Sequence, residues 1–460
     1  MNSAPPETSD IIGPGTHDRW FMLALVASNY FTIYLHRNLV NYIQPALIAP
    51  IEQGGLDLKD FEIGLLGPAW LLPYCFAQLM VGYLSDRFPR RTVILASLMA
   101  SVVALAATGL ARNFPELFLG RVMLGIGQAC AVPAMASVIA DCFTDRTRSK
   151  AVGFYLFSYS CSLIIAGKYG GAIADIPVWR VPLAVFGSGE LAVTGWRMAH
   201  FIFAAMGGAV WLLLWFLLRE PERTERQAER GLGTEAAGVW RSVVSVLAVR
   251  TFLLIALVFA LGGIVSRVVQ FWLPRYYFDL FHESHGWGQG DAGEFATFAV
   301  QVGTMAGLFC GGFTADWASK RSIGGRMAVQ FIGLLAMAPA LVTIGSSHSI
   351  PLLASAMFAY GLGLGLYQAN LWTTTFEVVD PAARATAVGL LNLSSGVLVL
   401  WWVDPAIGRL NDWATSQGGE TILNTIIVSA GGIVGVSIVL MAFTMIVLLP
   451  RDFRRRDQKA

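Results

Sequence analysis

Two stretches decide the fold: "GYLSDRFPRR" from Gly82 to Arg91 and "GFTADWASKR" from Gly312 to Arg321. Each follows an apolar run and ends in basic residues, and their aspartates, Asp86 and Asp316, lie 230 residues apart in a chain of 460. A second echo stands at nearly the same offset, "RSKAVG" from Arg148 against "RATAVG" from Arg384. Two matches at one offset mark an internal repeat. The chain therefore reads as two homologous halves, an arrangement in which transporters build a central site between the repeats.

Composition identifies the solvent. Hydrophobic residues make up 55% of the chain and charged residues only 13%, about half the charged share of a soluble domain. Lipid must cover part of the surface, and the same figures exclude disorder and coiled coil. A net charge of +2 offers no basic field for nucleic acid. Cys75, Cys130, Cys142, Cys161 and Cys310 fall in apolar stretches with no C-x-x-C pair, so packing is their expected role and neither a disulfide framework, a metal nor a cofactor is expected. The first 18 residues hold no Lys or Arg, so the first apolar run is expected to be a permanent span and no removable signal peptide is indicated.

A bilayer core about 30 Å thick takes roughly 20 mostly apolar helical residues. Twelve such runs are expected, over 20–50, 61–84, 92–111, 117–142, 151–174, 198–218, 251–281, 295–315, 327–344, 350–376, 385–407 and 422–449. The expected fold is an all-α membrane protein: twelve transmembrane helices in two pseudo-symmetric six-helix bundles. A bundle over 20–218 follows a segment at 1–19, and a second bundle over 251–449 precedes a tail at 450–460. The linker, 219–250, contains "REPERTERQAER". Short connections orient a membrane protein by their Lys and Arg. With both termini cytoplasmic, the cytoplasmic segments hold 22 basic residues against 4 outside, Lys59, Arg112, Arg180 and Arg409.

On these residues the chain resembles the major facilitator superfamily. The match is the loop G-x-L-[SA]-D-R-x-x-R-[RK], carried here by Gly82, Leu84, Ser85, Asp86, Arg87, Arg90 and Arg91, with Pro89 where the family has glycine. The resemblance implies a gating role for Asp86, Arg90 and Arg91 and, through the copy, for Asp316 and Arg321; a charged loop can lock two bundles that rocking must separate. Without gating, the same charges would only set topology. Within the superfamily, "YLHRNLVNYIQPAL" is similar to the Asp-Arg motif of the Spinster-like and organic-anion branches, and "RVMLGIGQA" to their R-x-x-x-G-x-G-E-A. "ADCFTDRTRSKAVGFY" and "GWRMAHFIFAAMGGAVWLLLWFLLREPER" look Spinster-like. Two departures remove the family's carboxylates: His36 stands where the motif has Asp, and Gln128 where it has Glu. The resemblance implies secondary active transport, a bacterial inner membrane, a monomer, and H+ or Na+ as coupling ion in symport.

Ionisable groups inside the hydrocarbon cost roughly 2.5 to 3.5 kcal/mol each and mark function by default. Arg37, Arg121, Lys168 and Arg267 qualify, and no span carries a mid-depth acid, since Glu116, Asp141, Glu377 and Asp404 fall near span ends. Unpaired positive charge around a cavity suits an anionic substrate, and the planar fork of Arg takes a carboxylate or phosphate in two hydrogen bonds. Arg37 and Arg267 are the leading candidates. Arg121 either touches substrate or pairs with Glu116, and Lys168 either joins the site or snorkels to the interface. Tyr30, Tyr34 and Arg37 share one helix face, as do Arg121 and Gln128, and Tyr367 and Asn370. These polar groups would hydrogen-bond substrate or glue helices together. His36 is expected to take protons in place of the missing carboxylate.

Other classes fit less well. Haem would need paired intramembrane histidines, and His282 with His285 forms only a lone H-x-x-H in a loop. Two repeated halves favour alternating access over a channel. Drug antiport is disfavoured because "AGKYGGAIAD" lacks that group's proline-containing glycine motif. The expected cargo is an organic anion bearing carboxylate or phosphate. The alternative is an amphipathic lysolipid or sphingolipid with an anionic head.

Overall fold

A computed structural model describes residues 16–129, 135, 138, 142–143, 145–182, 190–219, 236–322, 324–380, 383–396, 399, 401–419 and 421–451. The side chains of 79–87 lie outside this description, and Asp86 with them.

Helix α1 runs over Thr16–Asn38 and continues through a 3-10 turn, Leu39–Tyr42, into the short helix Gln44–Ile48. Helix α2, Asp60–Arg87, starts on Asp60 and Glu62, acids that the positive end of a helix dipole favours. Helix α3, Arg90–Gly109, begins just after Pro89. Helix α4, Phe114–Gln128, is capped by the Asn113 side chain, which accepts from Glu116 N. Helix α5, Asp145–Ile165, passes through a π-helical segment, Ala166–Gly170, to Ala174, and α6 is Gly195–Leu217. In the second half, α7, Arg250–Arg267, widens into a π-helical segment, Val268–Trp272, and resumes over Leu273–His285. Helices α8, Gln289–Ser319, α9, Gly325–Ser346, and α10, Ile350–Val378, follow. The segment Arg384–Ser395 leads to α11, Trp401–Ser416, and α12 is Leu423–Phe443.

A helix meets each of the twelve expected spans. Among the described residues, seven helices are long and apolar enough to cross a bilayer by length and composition alone. Those outside that set include α1, α4 and α11, which carry the buried polar side chains of His36, Arg121 and Asp404.

One element departs from the all-helical expectation. Strand β1, Val178–Pro182, pairs antiparallel with β2, Glu190–Thr194, with Val178 opposite Thr194. "VWRVP" and "ELAVT" are rich in β-branched and aromatic residues and flank "LAVFGSG", a hairpin pattern that a scan for apolar runs passes over. Just after β2, the Trp196 indole donates to Gly54 O at 2.8 Å and ties the hairpin to the loop between α1 and α2. This is the hairpin end of the bundle; the helix Ala236–Leu247 belongs to the linker end.

The halves cross at two equivalent places. Helix α2 meets α11, where a Cβ on Gly64 would lie 2.4 Å from Asp404 O and one on Gly408 2.1 Å from Asp60 O. The end of α5 meets α8, where a Cβ on Gly167 would lie 2.7 Å from Gly293 O. Only glycine permits such backbone approach.

Candidate functional site

Arg37 lies in the last turn of α1. Its guanidinium sits 3.4 Å from the Trp70 ring centroid, 4.8 Å from Tyr34 and 5.3 Å from Tyr74. Trp70 and Tyr74 stack on one another at 4.6 Å along one face of α2, so they form a platform under the cation. The Trp70 indole donates to Gln128 Oε1 at 3.1 Å, and Gln128 donates in turn to Ser101 Oγ and Ile33 O. Gln128 therefore positions the platform. Among the described residues no carboxylate lies within ion-pair distance of Arg37.

Arg267 reaches the same face of α2 one turn away, for a Cβ on Gly67 would lie 2.8 Å from its Nη2. Tyr159 of α5 lies beside this site: its ring is 4.7 Å from that of Tyr34, in the neighbourhood of both arginines and of Gln270. Gln270 belongs to the π-helical segment after Arg267, where widened turns release carbonyls. Two side chains of the first half take these up, Asn41 donating to Gln270 O at 3.2 Å and Gln44 to Phe271 O at 2.6 Å.

The expectation of unpaired charge fails at Arg267. Its Nε donates to Asp404 Oδ2 at 2.8 Å and its Nη2 to the same oxygen, and the Asp404 side chain is fully buried. Asp404 looked terminal because Arg409, Asn411 and Asp412 follow it closely. Helix α11 instead continues to Ser416 and buries Asn411. Lys168 is also paired, at 3.0 Å with Glu294 across the halves, and is half-exposed. The proposed Arg121–Glu116 pair does not form either. Glu116 accepts from Arg112 N at 2.8 Å beside its own helix start, whereas Arg121 donates to Leu66 O and to Arg37 O at 3.0 Å. Arg121 thereby holds the backbone that presents Arg37.

Other expected site residues pack elsewhere. Tyr30 stacks on Tyr155 at 3.8 Å, one step along the ladder from Tyr34 and Tyr159. Asn370 donates to Gly311 O and so serves packing between α8 and α10, whereas the main-chain O of Tyr367 accepts from Gln330 and its buried hydroxyl has no hydrogen-bond partner among the described residues. His36 is fully buried between Ser101 Oγ at 3.0 Å and Phe203 O at 2.9 Å. A carbonyl can only accept, so Nε2 carries the proton and Nδ1 accepts from Ser101. Trp70, Tyr74, Tyr159, Gln270 and Asp404 are the site residues that the sequence did not single out.

At the linker end, Arg91 donates to Trp215 O within the first half, and Arg90 is buried. Asp316 pairs with Arg326 at 3.0 Å, and Arg326 with Glu377 at 2.8 Å, while Arg321 lies over the Trp317 ring. Arg326, in the first turn of α9, is the cation the repeat did not reveal. At the hairpin end two aspartates bridge the halves. Asp175, after α5, accepts from Gln289 N and Gly290 N at the start of α8, and Asp412 of α11 accepts from Asp60 N and Phe61 N at the start of α2. A separate cavity of about 450 Å³ opens at this end of the second half, lined by Tyr276, Asp279, His348 and Asn424 among others, and involves neither Arg37 nor Arg267.

Comparison with known proteins agrees with this architecture. The probable sulfoacetate transporter SauU of Cupriavidus necator is 26% identical over 400 residues, covering 82% of this chain and 84% of that protein. The hexuronate transporter of Bacillus subtilis is 21% identical over 398 residues, covering 84% and 88%. A crystal structure of a bacterial homologue of the human lysosomal transporter Spinster, inward-facing and unoccupied, superposes with a TM-score of 0.72 at 21% identity over 96% of this chain and 98% of that one. The model of the Major Facilitator Superfamily matches residues 26–401. The chain belongs to the Major Facilitator Superfamily.

Proposed function

We propose that this protein carries a small organic anion across the membrane by alternating access, with Arg37 and Arg267 meeting the substrate between two bundles, 20–218 and 251–449, joined by a cytoplasmic linker. The observation that carries this reading is Arg37: a cation on an aromatic platform, without a carboxylate partner among the described residues, with Arg267 of the opposite half one turn away along the same helix. Such a site carries an excess of positive charge, to which a carboxylate, sulfonate or phosphate binds with bidentate geometry. That relatives carry names of sulfoacetate and hexuronate transporters supports the same substrate class. The excess of Lys and Arg at the linker end supports cytoplasmic termini in an inner membrane, and the chain is taken to work as a monomer. The aspartate clamps support a state closed at the hairpin end and open toward the cytoplasm.

The test is uptake by proteoliposomes of radiolabelled glucuronate, sulfoacetate and a lysophospholipid. Glucuronate or sulfoacetate accumulates above empty liposomes, and Arg37→Gln lowers the rate at least tenfold, about 1.4 kcal/mol of lost interaction. Transport of the lysophospholipid alone favours the Spinster-like reading; transport of none of the three contradicts the substrate class.

A further inference from the structure

We propose that Asp404 is the proton site coupled to the anion, and that Arg267 passes from Asp404 to the substrate when Asp404 takes a proton. The inference rests on the anion-transport reading and names the group through which a proton enters it. Three observations carry it. Asp404 is fully buried at the crossing of α2 and α11, yet only Oδ2 is bonded, receiving both Arg267 donors, and Oδ1 has no hydrogen-bond partner among the described residues. The Trp272 indole faces the carboxylate without reaching hydrogen-bond geometry, and its own N–H is unpartnered. Finally, the Arg267 side chain is 22% exposed, so the partner of the buried acid is itself open to a ligand. A buried carboxylate with an empty acceptor is an expensive anion, and removing one charge of a buried pair strands the other.

The exchange balances. A proton from water bonds to the Asp404 carboxylate, the ion pair breaks, and the N–H donors of Arg267 turn to the substrate anion. On release the proton leaves and the pair re-forms. One proton with a monoanion such as glucuronate leaves the net charge of the site unchanged, whereas one proton with the dianion sulfoacetate makes it one unit more negative.

The groups around Asp404 leave it as the titrating member. From α7 the facing charge is Arg267. From α2 the contact is made by Gly64 and Gly67; Asp60 and Glu62 lie toward the hairpin end, and Tyr74 and Cys75 lie beyond Trp70. On α11 itself, Arg409 lies over the Phe61 ring and Asp412 is held by backbone amides. Arg121 is a further cation near Arg267, and it bonds the backbone of Arg37. His36, the other titratable group of the interior considered for this role, sits apart with both ring nitrogens bonded.

The experiment measures the Kd of glucuronate and of sulfoacetate for purified protein from pH 5.5 to 8.5, and the proton taken up when either is added in weak buffer. Because the protonated form binds the anion, affinity falls as pH rises. In the wild type the Kd increases about tenfold per pH unit at the alkaline end, and about one proton enters with each anion. Asp404→Asn flattens that slope to within twofold and takes up no proton, while His36→Gln keeps both. Binding without proton uptake in the wild type overturns the assignment of Asp404 and leaves the transport reading standing, as does a slope retained in Asp404→Asn. Failure of both anions to bind the wild type fails the substrate reading and this inference with it. A wild-type proton count of zero overturns the assignment even if Asp404→Asn does not fold.

Discussion

At the residue scale, side-chain type in the hydrocarbon was legible and partnership was not. Arg37 stood out because a guanidinium inside a span is costly, but nothing separates Trp70 and Tyr74 from the many rings that face lipid. Asp404 was passed over because the polar residues after it resemble a loop, although Asn411 is buried and Asp412 bonds α2. His36 shows the reverse case: a titratable residue at a motif position is held on both sides by Ser101 and Phe203. Gly207 lies close against the ring, where a Cβ would come within 2.5 Å of it. His36→Gln is expected to destabilise the protein by roughly 1–3 kcal/mol, the loss of two buried hydrogen bonds at about 0.5–1.5 kcal/mol each. A lower Tm with an unchanged pH slope of anion affinity checks this; an unchanged Tm with a lost slope contradicts it.

At the element scale, the helices were legible and their end contacts were not. A span shows itself by a long apolar run, whereas an aspartate that caps a helix of the other half bonds to backbone N–H groups, which leave no mark in the sequence. Asp175 on α8 and Asp412 on α2 are such caps, in equivalent places of the two halves. Each accepts two amides at the positive end of a helix dipole, and cap removal costs about 0.5–2 kcal/mol. Substituting both by Ala weakens the closed hairpin end specifically. A cysteine introduced at Thr297, buried on α8 near the Gly167 crossing, then reacts several-fold faster with a membrane-impermeant maleimide added from the hairpin side. An unchanged labelling rate contradicts the role of these aspartates as a latch. The hairpin β1–β2 escaped for a related reason: strands of five residues are too short to register in a scan for spans.

At the scale of the whole molecule, the repeat made the fold legible, because two echoes at one offset require two similar halves, and glycines then let those halves meet at paired crossings. The cargo was legible only as a charge. The central claim is that Arg37, with Arg267 opposite, binds an anion. Thermal stabilisation of the purified protein tests it most directly, across glucuronate, sulfoacetate, sugar phosphates, lysolipids and organic cations, in the wild type, Arg37→Gln and Arg267→Gln. A ligand at a hundred times its Kd stabilises by about 2.7 kcal/mol, enough to raise the Tm measurably. Stabilisation of the wild type by one or more of the anions, abolished in Arg37→Gln and weakened in Arg267→Gln, is the predicted result; stabilisation by cations alone, or by anions equally in all three proteins, contradicts it.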